Sequence, residues 1–91
     1  MTPKTLTMAE RIQQARQLIQ QARELPIPEE LGRLDVYYIA RIRQLTQQAK
    51  DLVKFIPYTP SATPEIKKEV ENLLKEADAT ARELLHGSHS D

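Results

Sequence analysis

The sequence predicts an all-α fold, an up-down-up three-helix bundle with helices near 7–25, 29–56 and 64–86. Three observations carry that expectation. Apolar residues recur at helical spacing in three separate segments. Prolines interrupt the pattern twice, at Pro26/Pro28 and again between Pro57 and Pro64, which favours folding back over an extended coiled coil. The middle segment, finally, is apolar on more than one side. Leu34, Tyr38, Ile42, Leu45, Ala49, Leu52 and Ile56 form its main line, with Ile39, Thr46 and Val53 along one flank and Tyr37 and Phe55 on the other. Together they cover roughly 200° of the wheel, against about 100° for a helix with a single buried face. Such a helix has a neighbour on each side.

The first helix opens at Thr7-Met8-Ala9-Glu10, a capping-box pattern in which the Thr7 hydroxyl and the Glu10 carboxylate satisfy each other's backbone amides. Met8, Ile12, Ala15, Ile19 and Ala22 follow in steps of four and three, widened by Leu18 and Leu25. Its other face is glutamine and arginine. Pro26 and Pro28 stop it, and the short connection makes the next helix return antiparallel.

The second helix has two possible starts. Pro28 suits a first-turn position, with Glu29 and Glu30 favourable at the positive end of the dipole. Gly32 could instead separate a single turn at 28–31 from a main helix beginning near Arg33, since a glycine inside a helix costs about 1 kcal/mol relative to alanine. The stretch from Leu34 to Ile42 is the densest apolar run in the chain. Within it Tyr38 lies on the core line, where burial demands a partner for its hydroxyl, while Tyr37 lies on the flank.

Pro57, Pro60 and Pro64 punctuate the second connection. It is read as a stiff crossover in preference to a PxxP ligand, because Thr63 and Pro64 make a good N-cap and first-turn pair. The third helix places Ile66, Val70, Leu73, Ala77, Ala81 and Leu84 on one stripe beside Leu74 and Leu85, and Gly87 is suited to end it. Residues 17–25 and 44–52 align without gaps, with a weaker echo at 72–78. Three helices are too few for a solenoid, so this is one amphipathic pattern used again. Ala22, Ala49 and Ala77 hold matching places in it and would allow close helix approach if they shared a layer.

The 91 residues form one domain, 1–91, with 1–5 and 88–91 expected as mobile tails. Cysteine is absent, no secretory leader is visible and no run of ~18 apolar residues exists to span a bilayer, so the expected compartment is the cytoplasm, with no membrane partner. Net charge is zero, which makes a nucleic acid an unlikely main partner. The balance conceals a gradient: residues 1–57 carry +3 and residues 58–91 carry −3. An acidic last helix lying against two basic ones accounts for it, with head-to-tail self-association as the alternative.

Reactive chemistry finds little support. His86, His89 and Asp91 could offer metal ligands, but they straddle Gly87 at a chain end where nothing holds a coordination geometry. Ser61, Ser88 and Ser90 lie in loops or the tail, and Glu29/Glu30 and Glu69/Glu71 read as solvated helix faces. With Gly32 and Gly87 the only glycines, no phosphate loop can form. No cofactor, metal or catalytic residue is assigned, and the chain is expected to be non-enzymatic.

What remains is a surface. Val36, Tyr37, Ala40, Arg43, Gln47, Lys50 and Lys54 share the outer side of the second helix and are the candidate partner-binding residues. The leading expectation is a small helical protein–protein interaction module, an adaptor or regulatory subunit that binds another protein or itself as a homodimer. A nucleic-acid-associated regulator using the basic side of the first two helices is the alternative. An enzyme with an inter-subunit site drawing on Arg33, Arg41 or Arg43 with Tyr37 or Glu30 ranks last.

Overall fold

A computed structural model describes residues 6–86; the expected tails, Gly87, His89 and Asp91 lie outside the described residues. The chain forms three α-helices, α1 (Met8–Glu24), α2 (Val36–Val53) and α3 (Pro64–His86), with 3₁₀ turns at Gly32–Leu34 and Ile56–Tyr58. The three-helix bundle expected from the periodicity is what the chain adopts. Among the described residues, no helix is long and apolar enough to cross a membrane.

Local chemistry sets most boundaries. Thr7 caps α1 with the expected box: its Oγ1 accepts from Glu10 N–H at 3.1 Å, and the Glu10 carboxylate accepts from Thr7 N–H at 2.9 Å. The helix ends at Glu24 because Leu25 precedes a proline and is pushed to extended backbone, at ψ 130°. Thr63 caps α3, its hydroxyl accepting from Ile66 N–H at 3.1 Å with Pro64 in the first turn.

The second helix is shorter than the expected 29–56 at both ends. Gly32 adopts a left-handed φ of +57°, a break no α-helix contains, and Asp35 then caps α2, its carboxylate accepting from Tyr38 N–H at 3.0 Å. At the far end Pro57 has no N–H to give the carbonyl of Val53, and its ring would collide with that carbonyl, so the α-helix stops there. Ile56 to Tyr58 form a tighter turn instead, and Ala62 beyond it is buried. The crossover is therefore folded onto the core and not extended as a PxxP ligand would be.

Polar contacts fix the directions of the helices. The Arg11 guanidinium on the first turn of α1 donates to the Leu52 carbonyl near the end of α2, at 3.4 Å, so α1 and α2 are antiparallel. Arg16 pairs with Glu69 at 2.6 Å and Arg23 with Glu83 at 3.3 Å, so α1 and α3 run parallel. Lys50 pairs with Asp78 at 2.9 Å between α2 and α3. Among the described residues, the three cross-helix acids all belong to α3 and the three bases to α1 or α2. The charge gradient along the sequence is thus met inside the chain. Each pair is part-exposed and worth at most ~1 kcal/mol.

The core has two sections. At one end Ile12, Ala15 and Ile19 pack with Ala49, Val53, Ile56, Ala62, Val70, Leu73 and Ala77. At the other, Ala22 meets Tyr38, Ile42 and Leu45, flanked by Leu18, Leu25, Leu84 and Leu85. Ala22 is therefore not in one layer with Ala49 and Ala77, although all three are fully buried. Burying each of the large aliphatic side chains contributes about 1.5–3 kcal/mol. Of the flank Ile39, Thr46 and Val53, the last two are buried and Ile39 is half-buried, with the Thr46 hydroxyl donating to the Ile42 carbonyl at 2.9 Å, whereas Tyr37 and Phe55 on the opposite flank are exposed. Leu34, expected on the core line, is 77% exposed. It precedes the α-helix, and the left-handed Gly32 and the 3₁₀ turn rotate it off the period that placed it inward.

Candidate interaction surface

The outer side of α2 divides into two parts of different character. Toward the C-terminus its polar side chains are already engaged. Gln47 Nε2 donates to Asp51 Oδ1 at 2.9 Å, and Lys54 pairs with the same carboxylate at 3.0 Å while lying 5.2 Å from the centre of the Phe55 ring. These two donors, Gln47 first, hold the Asp51 carboxyl below its ordinary 3.8. Lys50, expected on the open face, is half-buried and reaches sideways to Asp78.

Toward the N-terminus the face is apolar and open. Val36 is 73% exposed and Tyr37 87%, with Ala40 and Arg43 exposed on the following turns. Tyr37 was expected on the flank and stands almost wholly in solvent. The sequence reading missed what lies beside it. Leu34, Leu31 (58% exposed) and Ile27 (45%) also face outward, so five large apolar side chains within residues 27–37 are exposed at the corner joining α1 to α2. The signal was present in the sequence as Gly32, whose left-handed turn takes this segment out of the helical register.

The corner is held by backbone chemistry. Leu34 N–H donates to the Leu31 carbonyl at 3.0 Å and Asp35 N–H to the Gly32 carbonyl at 3.1 Å, before the Asp35 cap starts α2. Exposed acids, Glu29 and Glu30, lie within it, between Ile27 and Leu31. On its C-terminal side are the exposed Arg41 and Arg43; Arg41 donates to Gln44 Oε1 at 2.9 Å. Below the corner lies Tyr38, 5% exposed. Its hydroxyl has no hydrogen-bond partner among the described residues.

Concavities elsewhere are shallow. One of about 390 Å³ runs between α1 and α2, lined by Arg11, Leu18, Gln48, Asp51 and Leu52. Its acid, Asp51, is the one held ionised by Gln47 and Lys54, the wrong state for giving up a proton near neutral pH. Among the described residues no group of three or more His, Cys, Asp or Glu side chains is placed to hold a metal ion.

No family model matches this chain, and comparison with curated proteins and with solved structures likewise found no match.

Proposed function

We propose that the chain is a small non-enzymatic interaction module whose docking surface is the corner between α1 and α2. One observation carries this reading: Ile27, Leu31, Leu34, Val36 and Tyr37 are exposed together on an 11-residue stretch. Their exposed apolar area is on the order of several hundred Å², the size at which a patch on a soluble protein marks a binding site. Tyrosine at the edge of such a patch is the residue type that anchors interfaces. Of the residues first singled out, Val36, Tyr37, Ala40 and Arg43 belong to this surface. Gln47, Lys50 and Lys54 are occupied within the chain and contribute less. The absence of cysteine supports a reducing compartment, the cytoplasm, as the place of action.

The nucleic-acid reading is weaker. Arg16, Arg23 and Lys50, three of the eight bases in the two segments it needs, are paired with Glu69, Glu83 and Asp78. An inter-subunit enzyme site would need Arg33, Arg41 or Arg43 to converge with Tyr37 or Glu30; the Arg33 side chain lies outside what the structure describes, and the other four residues are each exposed.

The test is sedimentation across a concentration series together with affinity capture from a lysate, using the native chain and a Leu34→Ser/Tyr37→Ser variant. Association with itself or with another protein is expected for the native chain and is lost in the variant. A strict monomer that retains nothing overturns the proposal.

A further inference from the structure

We infer that the corner between α1 and α2 docks on the opposite end of a second copy of the chain, head to tail; the inference rests on the corner being a docking surface, as proposed above. Helix directions fix which groups share an end. With α1 and α3 parallel and α2 antiparallel to both, the corner lies at the end where α3 stops, and Leu84 and Leu85 pack beside Tyr38 there. The α2–α3 connection lies at the end where α1 starts, and Ile56 shares a core section with Ile12 and Met8 there. The 18 residues of α2 hold the two ends about 27 Å apart.

The far end holds the other exposed large apolar side chains among the described residues. Phe55 is 68% exposed and Tyr58 83%. Pro57, between them in the chain, also lines a shallow concavity of about 500 Å³ together with Pro64, Lys67, Lys68, Glu71 and Leu74. Lys54 lies against the Phe55 ring. Apolar surface at this end is thus set among lysines, whereas at the corner Glu29 and Glu30 stand between Ile27 and Leu31.

Net charge has the same polarity. Counting each connection with the four terminal residues of every helix at that end, the corner end carries Glu24, Glu29, Glu30, Asp35 and Glu83 against Arg23 and Arg33, a net −3. The far end carries Arg11, Lys50, Lys54 and Lys67 against Glu10, Asp51 and Glu65, a net +1. Arg41, Arg43 and Arg82 come a turn further in from the corner end, as Lys68, Glu69 and Glu71 do from the far one. The odd number of helices adds to the difference. Two C-termini and one N-terminus meet at the corner end and the reverse at the other, leaving about half a negative and half a positive charge uncompensated.

A contact between two corners would set −3 against −3. Head-to-tail contact sets glutamates against lysines and brings Leu34 and Tyr37 of one copy to the proline-walled concavity of the next. An apolar patch that fits a concavity elsewhere on the same molecule makes a contact that repeats from copy to copy. Phe55 and Tyr58 together offer on the order of 300 Å². Each contact therefore lies at the weak, reversible end of the interface range.

Sedimentation velocity at protein concentrations up to about 1 mM reads the assembly. The native chain is expected to pass beyond dimers as concentration rises. Leu34→Ser/Tyr37→Ser blocks one end and Phe55→Ser/Tyr58→Ser the other, and each variant alone is expected to associate at least about tenfold more weakly. Mixed in equal amounts, each variant supplies the end that the other lacks, so the pair forms a heterodimer and stops there. Unchanged helical circular dichroism and melting temperature show that the variants fold. A far-end variant that associates as the native chain does, or a mixture that stays monomeric, overturns the head-to-tail contact. A corner variant that associates as the native chain does overturns the docking surface as well.

A native chain that stays monomeric also overturns the inference, and capture from a lysate then separates it from the reading beneath it. A retained protein that is lost with Leu34→Ser/Tyr37→Ser leaves the corner standing as a docking surface, whereas retention of nothing overturns both.

Discussion

Arg23 of α1 donates a 2.7 Å hydrogen bond from Nη2 to the hydroxyl of Thr80, a fully buried residue of α3, while Nη1 reaches Glu83 at 3.3 Å. One guanidinium thus satisfies a polar atom in the core and an acid at its rim. Removing Arg23 leaves the Thr80 hydroxyl without that donor, whereas removing the hydroxyl leaves a guanidinium that can turn to water. Arg23→Ala is expected to cost about 1–3 kcal/mol and Thr80→Val less, measured as shifts in urea midpoint at unchanged slope. Equal costs would mean that the hydrogen bond is not what links the two helices here.

Tyr38 is the reverse case, a buried side chain whose hydroxyl lacks a partner among the described residues. Tyr38→Phe keeps the ring and discards the desolvated oxygen, so it should be neutral or stabilise by up to about 1 kcal/mol. Tyr38→Ala and Leu45→Ala open cavities in the same section of the core and should each cost about 2–5 kcal/mol. Thermal or urea unfolding of the three variants checks the order.

The start of α2 rests on two residues. Gly32→Ala meets open space, with nothing within 4 Å of the added carbon, so its cost comes from the left-handed backbone alone, about 1–2 kcal/mol. Asp35→Ala removes the cap on Tyr38 N–H and should cost about 0.5–2 kcal/mol, largely recovered by Asp35→Ser. A loss of amide protection confined to the first turn of α2 in hydrogen exchange would locate both effects.

The Asp51 carboxyl titrates below its ordinary 3.8, through the hydrogen bond from Gln47 and the neighbouring Lys54. A depressed folded value means that the unfolded chain binds the proton more readily. Its contribution to stability is therefore present above the ordinary value and lost as pH falls through the folded one. Following the Asp51 carboxyl by NMR should show its midpoint rise toward 3.8 in Gln47→Ala. An unmoved midpoint would exclude the Gln47 bond as its main cause.

What the sequence disclosed was local. The Thr7–Glu10 box spans four residues, the Thr63–Pro64 start two, and the stripe from Ile12 to Ala22 one helix face, so each could be read without knowing what lies across from it. Errors arose where a neighbour decides. Lys50 looked free on the α2 wheel until α3 brought Asp78 beside it. Thr80 is buried in full where the apolar stripe ran through Ala81, because Arg23 arrives from α1 to satisfy it. Leu34 failed for a different reason: the periodicity was continued through a glycine that breaks it, and that same break opened the corner now proposed as the docking site.

The placement of the tyrosines gives the molecule an optical reporter. Tryptophan is absent, and of the three tyrosines Tyr37 and Tyr58 stand in solvent while Tyr38 alone is enclosed between helices. The near-ultraviolet dichroism of the folded chain is then dominated by one ring, at the end of the core where α1, α2 and the last turns of α3 meet. Fading of that band while the far-ultraviolet helix signal persists marks loosened packing at this end before any helix unwinds.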